Sequence, residues 1–168
     1  MPAPTSSKGR LLNSPLLIES ILVVCDGNHC RSPMAEALLK AGAGEGLTIG
    51  SAGLGALEDY PADPEAARLM AAEGLDIGSH RGRHFTPALA LETDLILVMD
   101  ERQKKDCERR VPSAHGRIFL LGHWRPSPDR EIPDPFRKGP DVFLQVLKQI
   151  RQSVDDWLIH VVPKQRSS

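Results

Sequence analysis

Four short, mostly apolar runs are spaced along the chain and separated by longer stretches of mixed polarity. They span residues 21–24, 47–51, 95–99 and 117–121, and most are rich in β-branched side chains. Apolar runs of this length are typical of strands that are buried on both faces of a parallel sheet. The pattern therefore predicts four strands.

The stretches between and after these runs carry helix signals. One helix is predicted to open with Ser32 at or beside its N-cap and Pro33 in its first turn. Three more are predicted over residues 63–74, 101–110 and 143–161, the last with apolar residues at steps of three and four. Strands that alternate with helices predict an α/β fold, in which one four-stranded parallel sheet has helices on both faces.

Length and composition are those of one ordinary globular domain. The chain has 168 residues, of which 40% are hydrophobic and 26% are charged. No internal repeat or second domain is evident. We predict a flexible N-terminal tail over residues 1–16, a domain over residues 17–163 and a C-terminal tail over residues 164–168.

Charge and cysteine content bear on partners and location. The formal net charge of -1 gives no reason to expect nucleic acid or an anionic membrane as a partner. The apolar stretch 15–24 is interrupted by Glu19 and is too short to cross a bilayer. Three cysteines form no disulfide framework, which indicates a reducing compartment. We expect a cytoplasmic monomer without stable membrane insertion.

The stretch "VVCDGNHCRSPMAEALL", residues 23–39, places reactive groups where the first strand ends. Ligands of open α/β sheets bind at this edge. Gly27 and Asn28 tolerate positive φ, so the loop could form a nest of inward-facing N–H groups at a helix N-terminus, which is an anion site. Arg31 would add a planar fork that matches two phosphate oxygens. The same field would favour the thiolate form of Cys25, a nucleophile for phosphorus.

The residues of this loop leave other interpretations open. A buried cysteine at the end of a strand is usually a small hydrophobe. Cys25, Cys30 and His29 could be metal ligands, but they lack the C-x-x-C spacing of zinc sites, so we predict no metal. A nucleotide-binding loop is disfavoured because neither GxGxxG nor GxxxxGK(S/T) is present.

A late loop, "EIPDPFRKG", supplies a candidate proton donor. Asp134 lies between two prolines after the fourth strand, and so belongs at the same edge of the sheet. Asp-Pro is common in turns. A rigid carboxyl above an anion site could nevertheless protonate a departing phenolate, which is a poor leaving group otherwise.

Together these strings resemble a known family. "VCDGNHCRSP" with "PDPF" is similar to the signature of the low-molecular-weight protein tyrosine phosphatases, C-x-G-N-x-C-R-S-P with a late Asp-Pro. The resemblance extends from about residue 21 to residue 157. "SAGLGAL", "PADP" and "GHW" look most like the bacterial members that act on tyrosine autokinases in exopolysaccharide export. The family implies a phosphate-binding loop between strand 1 and helix 1, and no cofactor.

The resemblance also implies roles for individual residues. Cys25 would be the nucleophile that forms a phosphocysteine, and Arg31 would clamp the equatorial oxygens of the transition state. Asp134 would protonate the leaving phenol and then activate water. Ser32 would donate a hydrogen bond to the Cys25 sulfur. Cys30 would be able to form a reversible disulfide with Cys25 under oxidation.

Further residues would support or border the loop. Asn28, in the left-handed region, would be held by Ser51 and by His80 of "HRGR". Leu57 and Phe136 would lie on the pocket rim. The phosphate-binding loop itself would comprise Asp26, Gly27, Asn28, His29, Cys30 and Ser32.

Three positions depart from the family's usual residues. Phe136 stands where tyrosine is common, and Asp26 and His29 stand where apolar residues are usual. We expect the Asp26 carboxylate on the rim, facing water. There it would weakly repel a bound dianion and select against acidic sequences around the phosphotyrosine.

The predicted function is hydrolysis of phosphotyrosine on a protein, a bacterial tyrosine autokinase of exopolysaccharide production. A thioredoxin-linked arsenate reductase would share the fold and the loop. It would need further cysteines near "SHRGRH", and none lies between residues 51 and 101. A catalytically silent phosphate-binding module would not need Asp134.

Overall fold

The computed structural model describes residues 17–161, so both predicted tails lie outside the described residues. One sheet of four parallel strands, in the order β2-β1-β3-β4, forms the centre of the molecule. This confirms the predicted α/β fold. The strands are β1 (Ser20–Cys25), β2 (Thr48–Gly53), β3 (Leu95–Val98) and β4 (Ile118–Leu120).

Among the described residues, five α-helices cover the sheet. They are α1 (Arg31–Ala43), α2 (Pro64–Ala72), α3 (Pro87–Leu91), α4 (Glu101–Arg110) and α5 (Pro140–Val161). Four match the predicted helices. The sequence pattern missed α3 because its five residues are too few to show a helical period; Thr86 caps it by accepting a hydrogen bond from the Leu89 N–H.

Side chains alternate between the two faces of the sheet and so build two cores. In β1, Ile21, Val23 and Cys25 belong to one core, with residues of α1, α2 and α5. Leu22 and Val24 belong to the other, with residues of α3 and α4. Residues buried on both faces explain why the strands appear in the sequence as continuous apolar runs.

The start of α1 differs from the prediction. The helix begins at Arg31 with Cys30 as N-cap, and no side chain caps it, so the assignment of Ser32 to the cap is wrong. Ser32 is the second helical residue, and Pro33 lies in the first turn as predicted. The Ser32 hydroxyl contacts the Cys25 sulfur and the Asn28 side chain instead of capping the helix.

The topology brings three segments to the carboxyl edge of the sheet. Cys25 is the last residue of β1, and only two residues separate the end of β3 from the start of α4. The loop that carries Asp134 follows β4. Within residues 17–161, no helix is both long enough and apolar enough to cross a membrane.

Candidate active site

The loop between β1 and α1 turns its carbonyl groups outward, where each has a partner. The carbonyl oxygen of Asn28 accepts a hydrogen bond from His80 Nε2 at 2.8 Å. The carbonyls of residues 25, 26, 27, 29 and 30 accept hydrogen bonds from the N–H groups of Leu54, Gly55, Leu57, Asp63 and Met34, respectively. Among the described residues, no N–H group of residues 26–30 donates to a protein acceptor. These N–H groups, beside the N-terminus of α1, form a nest suited to an anion.

Asn28 fixes the shape of this loop. Its backbone has a φ of 52° and the residue is 1% exposed. Its side-chain Nδ2 donates to Ser32 Oγ at 2.8 Å and to Ser51 Oγ at 2.9 Å. Its Oδ1 accepts from the Arg83 N–H at 3.0 Å. With the His80 contact, four hydrogen bonds stabilise a backbone conformation that few residue types adopt.

The polarity of this network directs a proton toward the sulfur. An amide nitrogen only donates, so the Ser32 oxygen accepts from Asn28 and its own hydrogen is free to donate. The acceptor within reach is Cys25 Sγ, 3.0 Å away. By the same argument, the Ser51 hydroxyl donates to Glu36 Oε1, at 2.5 Å. A hydroxyl donor at the sulfur stabilises negative charge there.

Gly53 lets the end of β2 pack directly against the loop. A Cβ at this position would lie 2.8 Å from the Asp26 carbonyl oxygen and 2.9 Å from the Asn28 nitrogen. Both contacts are with backbone, which could not move without reshaping the loop. Only glycine fits here.

Arg31 is 3% exposed, yet its guanidinium reaches the pocket. Nη1 donates to the Ile132 carbonyl at 2.8 Å, which fixes the plane of the guanidinium and ties the Asp134 loop to the phosphate-binding loop. Nη2 lies 3.3 Å from Asp26 Oδ2 and 3.9 Å from Asp134 Oδ2. The cation is therefore held between two carboxylates at the mouth of the nest.

The Asp26 carboxylate lies on the pocket rim but does not simply face water. Arg102 Nη2 lies 2.9 Å from Oδ1 and 2.8 Å from Oδ2. Burial alone would raise the pKa of Asp26, but the hydrogen bond and charge of Arg102, together with the charge of Arg31, hold that pKa below its usual value. Because Arg102 offsets this charge, the repulsion of acidic sequences by Asp26 should be weaker than expected; the selection itself stays a prediction.

Asp134 lies opposite the nest, about half exposed. Its Oδ1 accepts a hydrogen bond from the Phe136 N–H at 3.1 Å, a local turn that fixes the carboxyl group. Oδ2 is the oxygen that faces Arg31. One carboxyl oxygen is thus used for structure and the other is directed to the pocket.

These groups surround one pocket of about 460 Å³. Leu57 and Phe136, both 39% exposed, form apolar parts of its rim. The His29 ring meets the Phe136 ring edge to face at 5.9 Å. Sequence reasoning missed several lining residues: Leu54, Gly55, Arg102, Asp106 and Arg110. The last three lie on α4, and its position directly after β3 was the signal that its residues could reach this edge.

The three cysteines are free and buried. Cys30 belongs to the same core as Cys25, and burial, reinforced by the Asp63 charge, raises the pKa of its thiol well above the usual range. Cys107 lies in the other core, where burial raises its pKa to about 12. Because Cys107 lies on the opposite face of the sheet, it is poorly placed to relay oxidation from Cys25.

A cysteine sulfur, a buried guanidinium and a nest of unpartnered N–H groups around one pocket define a site for a phosphate monoester. The family described as low molecular weight phosphotyrosine protein phosphatase matches residues 20–168. The chain belongs to that family and is a protein-tyrosine phosphatase.

Individual relatives agree with this assignment. The chain is 46% identical over 142 residues to the probable low molecular weight protein-tyrosine-phosphatase EpsP of Ralstonia nicotianae, covering 84% of this chain and 95% of the relative. The crystal structure of the Erwinia amylovora tyrosine phosphatase AmsI matches with a TM-score of 0.83 at 35% identity, covering 88% and 95% of the two chains. The Escherichia coli K30 tyrosine phosphatase Wzb, solved with sulphate, matches with a TM-score of 0.80 at 42% identity, covering 84% and 96%.

Proposed function

We propose that the enzyme transfers the phosphoryl group of phosphotyrosine first to Cys25 and then to water. We further propose that its protein substrate is a tyrosine autokinase of a bacterial exopolysaccharide system. One observation carries the chemistry: among the described residues, the N–H groups of residues 26–30 have no protein acceptor, and the loop that bears them joins Cys25 to Arg31 at one pocket. That arrangement suits a tetrahedral dianion next to a nucleophile.

In the first step, the loop N–H groups and Arg31 bind the phosphate oxygens and balance the charge that develops on them. The Cys25 sulfur attacks phosphorus, the S–P bond forms and the bond from phosphorus to the phenolic oxygen breaks. Asp134 transfers its proton to that oxygen, so tyrosine leaves as a neutral phenol. The products are free tyrosine side chain and phosphocysteine.

In the second step, the Asp134 carboxylate accepts a proton from a water molecule. The water oxygen attacks phosphorus, and the S–P bond breaks. The Ser32 hydroxyl, 3.0 Å from the sulfur, stabilises the departing thiolate. Inorganic phosphate is released and Cys25 returns to its starting state.

The rim supports an aromatic, protein-borne substrate. Leu57 and Phe136 offer apolar surface on which a phenyl ring can pack. Arg102 and Arg110 also line the pocket, paired with Asp26 and Asp106, respectively. They therefore add little net positive charge. The relatives EpsP, Wzb and AmsI are named as tyrosine phosphatases, which supports phosphotyrosine as the substrate group. The assignment to an exopolysaccharide system rests on the loop strings "SAGLGAL", "PADP" and "GHW". We also propose that the enzyme acts in the cytoplasm and is a monomer.

Phosphate release from three classes of substrate tests the chemistry, with EDTA present throughout. We expect turnover of p-nitrophenyl phosphate and a phosphotyrosine peptide, inhibition by vanadate, and little turnover of a phosphoserine peptide or reduction of arsenate. Cys25→Ser should abolish turnover. Substantial activity in Cys25→Ser, or arsenate reduction at a comparable rate, would contradict the proposal.

A second assay tests the protein substrate. The phosphorylated kinase domain of a bacterial tyrosine autokinase is compared with an unrelated tyrosine-phosphorylated protein of similar net charge. We expect kcat/KM at least about tenfold higher for the autokinase, which is a difference of about 1.4 kcal/mol. Equal values would remove the autokinase from the proposal and leave the chemistry intact.

A further inference from the structure

Three potential metal ligands meet where the phosphate-binding loop packs against the start of α2. They are His29 Nε2, Cys30 Sγ and a carboxylate oxygen of Asp63, all within 4.8 Å of one another. Within residues 17–161, no other group of three or more such side chains comes close enough to hold an ion. The side chains of His29 and Asp63 are 15% and 14% exposed, and Cys30 is 4% exposed. The cluster is therefore largely shielded and still reachable by a small ion.

The hydrogen bond of His29 fixes which ring nitrogen is available. Its Nδ1 lies 3.0 Å from the Pro61 carbonyl oxygen, and a carbonyl oxygen only accepts, so Nδ1 carries the hydrogen. In the neutral imidazole, the lone pair is then on Nε2, the nitrogen that faces Asp63. A backbone carbonyl on the far nitrogen is the outer contact that metal-binding histidines usually have.

The two oxygens of Asp63 have different tasks. Oδ1 accepts a hydrogen bond from the Glu65 N–H at 2.8 Å and so caps α2. Oδ2 lies 3.6 Å from His29 Nε2, which is too long for a good hydrogen bond. A lone pair that faces a carboxylate is repulsive unless a proton or a metal cation lies between them. The remaining oxygen is thus free to bind one.

One of the three ligand separations already matches tetrahedral zinc, and the three ligand atoms, which lie within 4.8 Å of one another, would move closer together on binding. With Zn–N of about 2.0–2.1 Å, Zn–O of about 2.0–2.2 Å and Zn–S of about 2.3 Å, neighbouring ligand atoms lie about 3.3–3.6 Å apart. The observed separation of 3.6 Å between His29 Nε2 and Asp63 Oδ2 is at the upper end of that range. A nitrogen, a sulfur and an oxygen are also a donor set that suits zinc, a borderline-soft ion.

We propose that His29 Nε2, Cys30 Sγ and Asp63 Oδ2 bind a zinc ion, with a water molecule as the fourth ligand. The ion replaces the thiol proton of Cys30, which is released to solvent, and the thiolate becomes the ligand. While zinc is bound, Cys30 is not available for a disulfide with Cys25.

Cobalt(II) titration of the purified full-length enzyme tests this site, because cobalt substitutes for zinc and reports a thiolate ligand by its charge-transfer absorption. We expect one equivalent to bind, and zinc to displace it. Asp63→Asn and His29→Gln should each weaken binding at least about tenfold, since even outer contacts of metal sites are worth about 10–100-fold. Asparagine remains a good N-cap, so Asp63→Asn should keep α2 intact.

Two further variants separate this site from the catalytic thiol, which could itself bind cobalt. The charge-transfer band should persist in Cys25→Ser and disappear in Cys30→Ser. His115→Gln is the matched control, because His115 pairs with a carboxylate, Glu108, at 3.0 Å outside the proposed site, and the variant should bind cobalt as the wild type does. A band lost in Cys25→Ser, unchanged affinity in both His29→Gln and Asp63→Asn, or no binding at all would overturn the proposal. None of these outcomes depends on the catalytic roles proposed above.

Discussion

Replacement of Asn28 by alanine tests how firmly the phosphate-binding loop is held. The change removes three side-chain hydrogen bonds, to Ser32, Ser51 and the Arg83 N–H. Each is buried or partly buried, and each contributes about 1 kcal/mol. Alanine at a φ of 52° adds about 1–2 kcal/mol of backbone strain. We therefore expect Asn28→Ala to lower the free energy of unfolding by about 4–5 kcal/mol.

Asn28→Gly separates the two contributions. Glycine loses the same three hydrogen bonds but adopts the left-handed backbone freely, at the expense of about 0.5–1 kcal/mol of backbone entropy. It should therefore be more stable than Asn28→Ala by up to about 1.5 kcal/mol. Urea unfolding at pH 7 gives both free energies, and p-nitrophenyl phosphate turnover should fall in both variants because the nest loses its shape.

Two results would refute this account of the loop. A loss below about 1 kcal/mol in Asn28→Ala would show that the hydrogen bonds do not stabilise the fold. A glycine variant less stable than the alanine variant would show that the left-handed backbone is not strained. Ser51→Ala provides a scale, since it removes the hydrogen bond from Asn28 and the one to Glu36, and it should cost about 2 kcal/mol.

Three further predictions follow from the site. Asp134→Asn should lower kcat for a phosphotyrosine peptide by about 10²–10⁴, with little change in vanadate binding; an unchanged kcat would remove Asp134 as the acid. Arg102→Gln should lower stability by at most about 1 kcal/mol at pH 7. The pKa of Asp26 is lower in the folded protein than the ordinary aspartate value. The stability difference between wild type and Arg102→Gln should therefore be complete above the ordinary pKa and vanish as the pH falls through the pKa of the folded protein. A difference that persists in acid would contradict the Arg102–Asp26 ion pair. Peroxide should join Cys25 to Cys30, and Cys30→Ser should make inactivation irreversible; mass spectrometry that finds no such link speaks against it.

Local patterns in the sequence were enough to predict the fold. The apolar runs predicted all four strands because a sheet with helices on both faces buries most residues of its strands. The start of α1 was misplaced because Ser32 is a favoured N-cap residue in general, whereas here its hydroxyl contacts Cys25 and Asn28. Tertiary contacts, which no local pattern contains, decided that position.

The candidate site likewise contains residues that local sequence identified and residues that only tertiary contacts reveal. The loop that contains Cys25 and Arg31 is continuous in sequence, so its chemistry could be inferred from spacing. The role of Arg102 could not be inferred from spacing, because 76 positions in the sequence separate it from Asp26. The ligand cluster of His29 and Asp63 was also missed, since loop and helix come together only in the folded protein.

The central claim, a covalent phosphocysteine on Cys25, is tested most directly by rapid acid quench and mass spectrometry. Wild-type enzyme and Cys25→Ser are mixed with p-nitrophenyl phosphate, quenched within the first turnover and digested. Asp134→Asn serves as a third sample, because slower hydrolysis should let the intermediate accumulate. The account predicts one added phosphoryl group on the peptide that contains Cys25, and none in Cys25→Ser. A phosphoryl group on another residue, or full turnover without any phosphocysteine, would contradict it.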